Sequence, residues 1–216
     1  MLFFYHALYI ITLHMLTLEI GKNIPPPLVI LLDGEVFREV CKSLFISELK
    51  KFPPEISRDD FLVRFALLEE KIGKRYALYL LSGRPLLSSD LEKKLLSKGL
   101  TPSAARGVVE WCRDKQYLDD TQEIARLVAR ELRKGQSARA VLFKLKHKKG
   151  ISESSLREHL RSAAPSDVEA LQRWMEKHAR KIAKSTPAEK RKLMAKLCRL
   201  GFASDLVFKA FDRHYV

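Results

Sequence analysis

The chain has 216 residues, 46% of them hydrophobic, with only 9 Gly and 9 Pro, which excludes a collagen-like or low-complexity polymer and leaves enough apolar side chain for a buried core. Its formal charge of +14 is unevenly placed: residues 1–70 hold 7 Lys+Arg against 10 Asp+Glu, whereas residues 71–216 hold 33 against 16. So localised a surplus points to an anionic partner, a nucleic acid or an acidic protein groove, because like charges crowded on one surface otherwise repel each other.

The run from Met1 to Leu18 is apolar and uncharged apart from His6 and His14. It lacks the basic start and small-residue cleavage site of a secretory signal, and Lys22 alone is a weak cationic flank for a membrane anchor. The expectation is therefore that residues 1–14 are an upstream extension and that Met15 is the natural start. No helix-length uncharged segment occurs after residue 20, so a soluble, cytoplasmic protein without stable membrane association is expected. Cys41, Cys112 and Cys198 are odd in number and too far apart for a metal pair, which predicts a reducing compartment and buried, inert thiols.

Between Met15 and Val40 the texture is strand-like. Leu16–Ile20 is followed by a Pro25-Pro26-Pro27 break, then by Leu28–Leu32 and Glu35–Val40 on either side of Asp33-Gly34. Asp-Gly between two β-favouring runs is a strong hairpin signal. Residues 15–58 are read as a small hairpin or short-sheet cap that covers the open end of the helical region.

From Asp59 onward the chain reads as about nine helices, near 60–82, 89–98, 103–115, 121–134, 138–148, 153–162, 167–184, 187–199 and 204–213. Capping boxes are predicted at Ser89/Glu92, Asp120/Glu123, Ser166/Glu169 and Thr186/Glu189. Pro102 and Pro187 follow Thr101 and Thr186 at the first helical position, where proline loses nothing. Gly99, Gly150 and Gly201 recur 51 residues apart, each at a predicted helix end, as expected of left-handed stop residues. That period predicts three tandem three-helix repeats, residues 59–116, 117–165 and 166–216. Counting from each glycine, Leu100, Ala105 and Val109 correspond to Ile151, Leu156 and Leu160 and to Phe202, Val207 and Phe211, one apolar face of the third helix in each repeat. Leu171, Trp174, Met175, His178 and Ile182 form a similar stripe, read as packing, with no second ligand spaced to make His178 a metal site.

Catalysis is not expected. The chain has no phosphate-cradling glycine loop, no His-Glu-x-x-His pair and no glycine-flanked serine nucleophile. Asp119 and Asp120 adjoin at a helix start and do not face each other, and Asp120 is given a capping role. No cofactor and no metal are predicted.

The run Tyr117-Leu118-Asp119-Asp120, followed by Ile124-Ala125, Arg133-Lys134-Gly135, Val141, Leu145 and Lys149-Gly150-Ile151, resembles the middle repeat of the bacterial RecX family of recombination regulators. Ala77–Leu81 with Arg84, Leu91, Lys94-Leu95 and Lys98-Gly99 is similar to the family's first repeat, and Leu193, Leu197 and Leu200-Gly201-Phe202 to its third. The likeness covers about residues 60–213. Departures are Gln116 in place of a usual glycine, Ser137-Ala138 in place of a Gly-Pro-like turn, Lys144 in place of a glutamate, and one extra residue before Gly150. The resemblance implies an all-helical, elongated and curved protein of three three-helix units. It also implies binding along the groove of the RecA filament on DNA, with inhibition of strand exchange, ATP hydrolysis and coprotease activity.

The residues expected to touch the partner are the basic set of the second helices and their glycine ends, Lys93, Lys94, Lys98, Lys144, Lys146, Lys148, Lys149, Lys192, Lys196 and Arg199, joined by Arg130, Arg133 and Lys134. Gly99, Tyr117, Leu118, Asp119, Asp120, Gly135, Gly150 and Gly201 are read as the structural motif. A monomeric regulator of the recombinase is the leading reading. The alternative is a direct binder of single- or double-stranded DNA that sets helix-turn-helix-like units on the phosphate backbone.

Overall fold

The computed structural model describes residues 11–13, 16–20, 27–53, 56–147 and 150–213, the first two runs and Arg213 at the level of the backbone alone. Residues 1–10 and His14 of the predicted extension, together with Pro25 and Pro26, lie outside them. The chain forms two compact units, Met1–Asp119 and Asp120–Val216.

The first unit opens with an antiparallel meander of four strands, β1 (Ile11–Leu13), β2 (Leu16–Ile20), β3 (Leu28–Leu32) and β4 (Glu35–Val40), adjacent in chain order. The predicted cap is thus a short sheet, and it extends back beyond Met15, because Ile11 pairs with Leu18 and Leu13 with Leu16. Asp33 and Gly34, at φ 56° and 82°, make the two-residue turn between β3 and β4, the left-handed pair whose twist suits a hairpin. Alternation along β3 buries Leu28, Ile30 and Leu32 on one face.

Ten helices come after the sheet among the described residues. The nine predicted ones are all present, each within about two residues of its expected ends: α2 (Arg58–Gly83), α3 (Ser88–Leu96), α4 (Pro102–Asp114), α5 (Asp120–Arg133), α6 (Ala138–Lys146), α7 (Glu153–Ala163), α8 (Asp167–Ala183), α9 (Pro187–Arg199) and α10 (Ser204–Arg213). The tenth, α1 (Lys42–Leu49), lies inside the cap and was not expected from the sequence. Its N-cap Cys41 makes no side-chain capping bond to the first turn, its Sγ lying instead 3.3 Å from Ser43 Oγ, and neither the first turn nor the last carries a dipole-matched charge. It is fixed by burying Phe45 and Leu49, a tertiary effect.

Phe37, Phe45, Phe52, Phe61 and Phe65 join β4, α1 and α2 through ring contacts of 5.4–6.0 Å. Sheet, α1 and the first triplet α2–α4 share one core. At Gly73 of α2 a Cβ would stand 2.7 Å from Leu100 and 2.8 Å from Val108, so the missing side chain is what lets α4 lie this close. Buried Glu69 of α2 ties β4 and α4 to this helix: Arg38 Nη1 on β4 donates to its Oε1 at 3.1 Å, and the backbone N–H of Thr101, the N-cap of α4, donates to the same oxygen.

In each triplet the third helix lies against both others, α4 on α2 and α3, α7 on α5 and α6, α10 on α8 and α9. All nine glycine-counted positions, from Leu100 to Phe211, are buried. The fold is therefore mainly helical, built of tandem three-helix repeats behind a small antiparallel sheet.

Helix ends follow the predicted chemistry with two corrections. Ser166/Glu169 and Thr186/Glu189 form complete capping boxes, and Pro102 and Pro187 open their helices. At α3, however, the helix begins at Ser88 with buried Leu87 in the N-cap position, so Ser89 is already inside it. Packing of Leu87 sets that start. Helix α5 begins at Asp120, which makes Asp120 the first helical residue instead of the cap that precedes it.

Candidate partner-binding interface

The repeat glycines end the second helices as predicted. Gly99 donates its N–H to Leu96 O at 2.9 Å while Leu100 donates to Leu95 O at 3.4 Å, and Gly201 and Phe202 do the same to Cys198 O and Leu197 O at 3.0 and 3.3 Å. These paired bonds close the last turn and require a left-handed residue at the glycine; φ is 87° at Gly99, 88° at Gly150 and 95° at Gly201. The preceding carbonyls also have equivalent duties. Lys98 O accepts from the N–H of Cys41, the N-cap of α1, and Leu200 O from that of Ser137, the N-cap of α6. A Cβ on Gly99 would lie 2.5 Å from Glu39 O, and one on Gly201 2.5 Å from both Ala140 Cβ and Ser137 Oγ. In both places a helix end is pressed onto a neighbouring element at a spot only glycine fits.

The basic residues expected at these ends divide into three groups. Lys93, Lys146, Lys192, Lys196 and Arg199 are exposed, and Lys94 and Lys98 half-buried. Lys98 Nζ stands 5.9 Å above the Tyr76 ring and Lys146 Nζ 5.1 Å above Phe143. A second group is exposed but engaged with one buried carboxylate. Glu131 is only 2% exposed, and Lys134 Nζ donates to it at 2.8 Å, Lys144 Nζ at 2.7 Å, with Arg130 Nε 3.5 Å away. Burial alone would raise the pKa of this carboxyl, but the lysine hydrogen bonds prevail and hold it at about 2. Lys144, the departure from the family pattern, thus serves as a counter-charge to Glu131. Lys148 and Lys149 lie outside the described residues.

Arg133, Lys134 and Lys196 come together at a cleft of about 380 Å³ in the second unit, between the α5–α6 connection and the faces of α8 and α9. Two more cations line it, Arg173 and Lys177, and no carboxylate does. The sequence reading missed both; their i, i+4 spacing alongside Trp174 and His178 was the available signal. His178 stacks on Trp174 with ring centroids 4.1 Å apart and holds its Nδ1 2.8 Å from Trp174 O, so it is a packed wall of the cleft. Among the described residues no group of three His, Cys, Asp or Glu is placed to hold a metal ion.

In the Tyr-Leu-Asp-Asp run, Leu118 is buried and Tyr117 leans on Trp111 at 5.7 Å. Gln116, where a glycine is usual, has φ 58° and closes α4 with the same bond pair as the repeat glycines. The thiols correct the sequence reading in part: Cys112 is buried and its pKa raised by desolvation, Cys41 is half-buried, and Cys198 is exposed. Cys198 follows buried Leu197 on α9 and is turned outward by the helical step.

These features define a class, tandem three-helix-repeat proteins with basic helix ends. A family model described as RecX, third three-helix domain, matches residues 166–211. Regulatory protein RecX of Bacillus subtilis (strain 168) is 29% identical over 150 residues, 67% of this chain and 56% of that protein. Regulatory protein RecX of Bacillus licheniformis is 31% identical over 144 residues, 66% of this chain and 55% of that protein. The chain therefore spans about half the length of these two relatives. A crystal structure of a regulatory protein RecX superposes with a TM-score of 0.57 at 21% identity, covering 91% of this chain and 97% of that one, a likeness of fold. In sequence the chain is similar to the regulatory proteins of the RecX family, over its third triplet by the family model and over about two thirds of its length by these relatives.

Proposed function

We propose that this protein is a non-enzymatic regulator of the RecA recombinase that binds along the groove of the RecA filament on DNA. There it limits ATP hydrolysis, strand exchange and SOS coprotease activity. The observation that carries this reading is the recurrence of exposed cations at the ends of the second helices, Lys93 on α3, Lys146 on α6, and Lys196 and Arg199 on α9, with Lys192 further back on α9. A repeating partner offers the same acidic or phosphate feature at regular intervals, and a repeat protein that meets it several times gains effective concentration for each contact after the first.

The protein acts as a monomer in the cytoplasm; no described helix is long and apolar enough to cross a membrane. Three-helix repeats 59–116, 117–165 and 166–216 are the units of binding. The test is ATP hydrolysis by a bacterial recombinase on single-stranded DNA with substoichiometric protein. Slowing that weakens as salt is raised is expected, and no slowing at low salt would overturn the reading.

A further inference from the structure

The α5–α6/α8–α9 cleft has a composition that a diffuse basic surface does not need. Arg133, Arg173, Lys177 and Lys196 surround it together with Lys134, which is already paired with Glu131, and no acidic residue lines the cleft. The Trp174–His178 pair, stacked with an interplanar angle of 18°, offers aromatic surface on one wall, both residues being half-buried. Gln136 also lines the cleft, and its Oε1 is buried without a hydrogen-bond partner among the described residues, an amide left over for a ligand's polar edge.

From this arrangement we infer that the cleft is a binding site for an unpaired nucleotide of a single-stranded nucleic acid, with the base on the Trp174–His178 wall and phosphates held by Arg173, Lys177 and Lys196. Cationic side chains that track a backbone beside aromatic rings that stack bases are the general chemistry of single-strand binding. At about 380 Å³ the cleft is near the lower end of the small-ligand range and admits one splayed nucleotide but no duplex. An acidic peptide would satisfy the cations. It would make no use of the ring wall.

The experiment requires no recombinase, so its outcome is separate from that of the regulatory reading. Full-length protein carrying Trp111→Phe keeps Trp174 as the sole indole, since the chain has 2 Trp. Titration with a short oligothymidylate should quench Trp174 emission saturably. Fluorescence anisotropy of the labelled strand, read also with Trp111 in place, should show Arg173→Glu and Lys177→Glu each weakening binding about tenfold or more. Each should also lower the salt slope by about 0.7 log units for every phosphate it no longer neutralises. Reversal of an exposed cation that does not line the cleft, Arg161→Glu, should have a much smaller effect. The inference is overturned if Trp174 emission does not change or if Arg161→Glu weakens binding as much as the cleft variants do. Competition decides the source: displacement of the strand by duplex DNA, polyglutamate or free thymidine monophosphate at equal charge concentration would overturn it in favour of that ligand.

Discussion

Two side chains carry stress or charge that can be read out singly. Gln116 adopts φ 58° in a position where its neighbours in the pattern use glycine, and a side chain with a Cβ costs about 1–2 kcal/mol there. The side chain is exposed, so its removal loses little packing. Gln116→Gly should therefore stabilise the chain by about 1 kcal/mol, seen as a higher midpoint in thermal unfolding; an unchanged or lower midpoint would contradict the strain. Glu131 acts in the opposite sense. Its folded pKa of about 2 lies below the ordinary 4.5, so its ionised form favours the folded state. That contribution is present above pH about 4.5 and is lost as pH falls from there toward the folded value of about 2. Urea unfolding across that window should show a fall in stability that Glu131→Gln largely removes, together with lower stability of the variant near neutral pH. Neither effect was legible in full. The sequence marked Gln116 as out of place, but Lys144 meets Glu131 at a separation of 13 residues, which only the fold can bring about.

At the scale of elements, the glycines separate a backbone requirement from a packing requirement. Gly135 has φ 79° and open space where a Cβ would be, whereas Gly201 has φ 95° and both Ala140 and Ser137 in the way. Gly135→Ala should cost about 1 kcal/mol for the conformation alone. Gly201→Ala should cost about 1–3 kcal/mol more, because the α9 end must retreat from α6 and the Ser137 N–H to Leu200 O bond weakens. Equal losses in denaturant unfolding would show that the close approach does not matter. These elements were readable in advance because glycine, serine, threonine and proline punctuate them and the third helices repeat one buried face. Helix α1 was not, since Cys41 caps nothing with its side chain and the helix has no polar stripe clear enough to set a period. Ser89 misled for a related reason: the buried side chain of Leu87 moved the cap of α3 two residues earlier than the hydroxyl pattern indicated.

For the molecule as a whole, the charge surplus led to the expectation of an anionic partner, but the sequence could not sort cations into those exposed without a salt bridge among the described residues and those already engaged. Arg130, Lys134 and Lys144 face Glu131, while Lys93, Lys146, Lys192 and Arg199 are exposed on three different triplets. If binding to a recombinase filament is spread over the repeats, each of these four contributes no more than an exposed ion pair does, about 0.2–1 kcal/mol. A single Lys→Gln or Arg→Gln change should then weaken filament binding by at most about fivefold. The four changes together should remove about 2–3 kcal/mol, roughly a 30- to 150-fold loss of affinity, with little change in thermal stability because none of the four packs in a core. Competition for a labelled wild-type chain on the filament measures this directly. If one substitution alone abolishes binding, the interface has a single anchor, and the tandem repeats do not share the load. If the quadruple variant binds like the wild type, the partner lies on a different face of the protein.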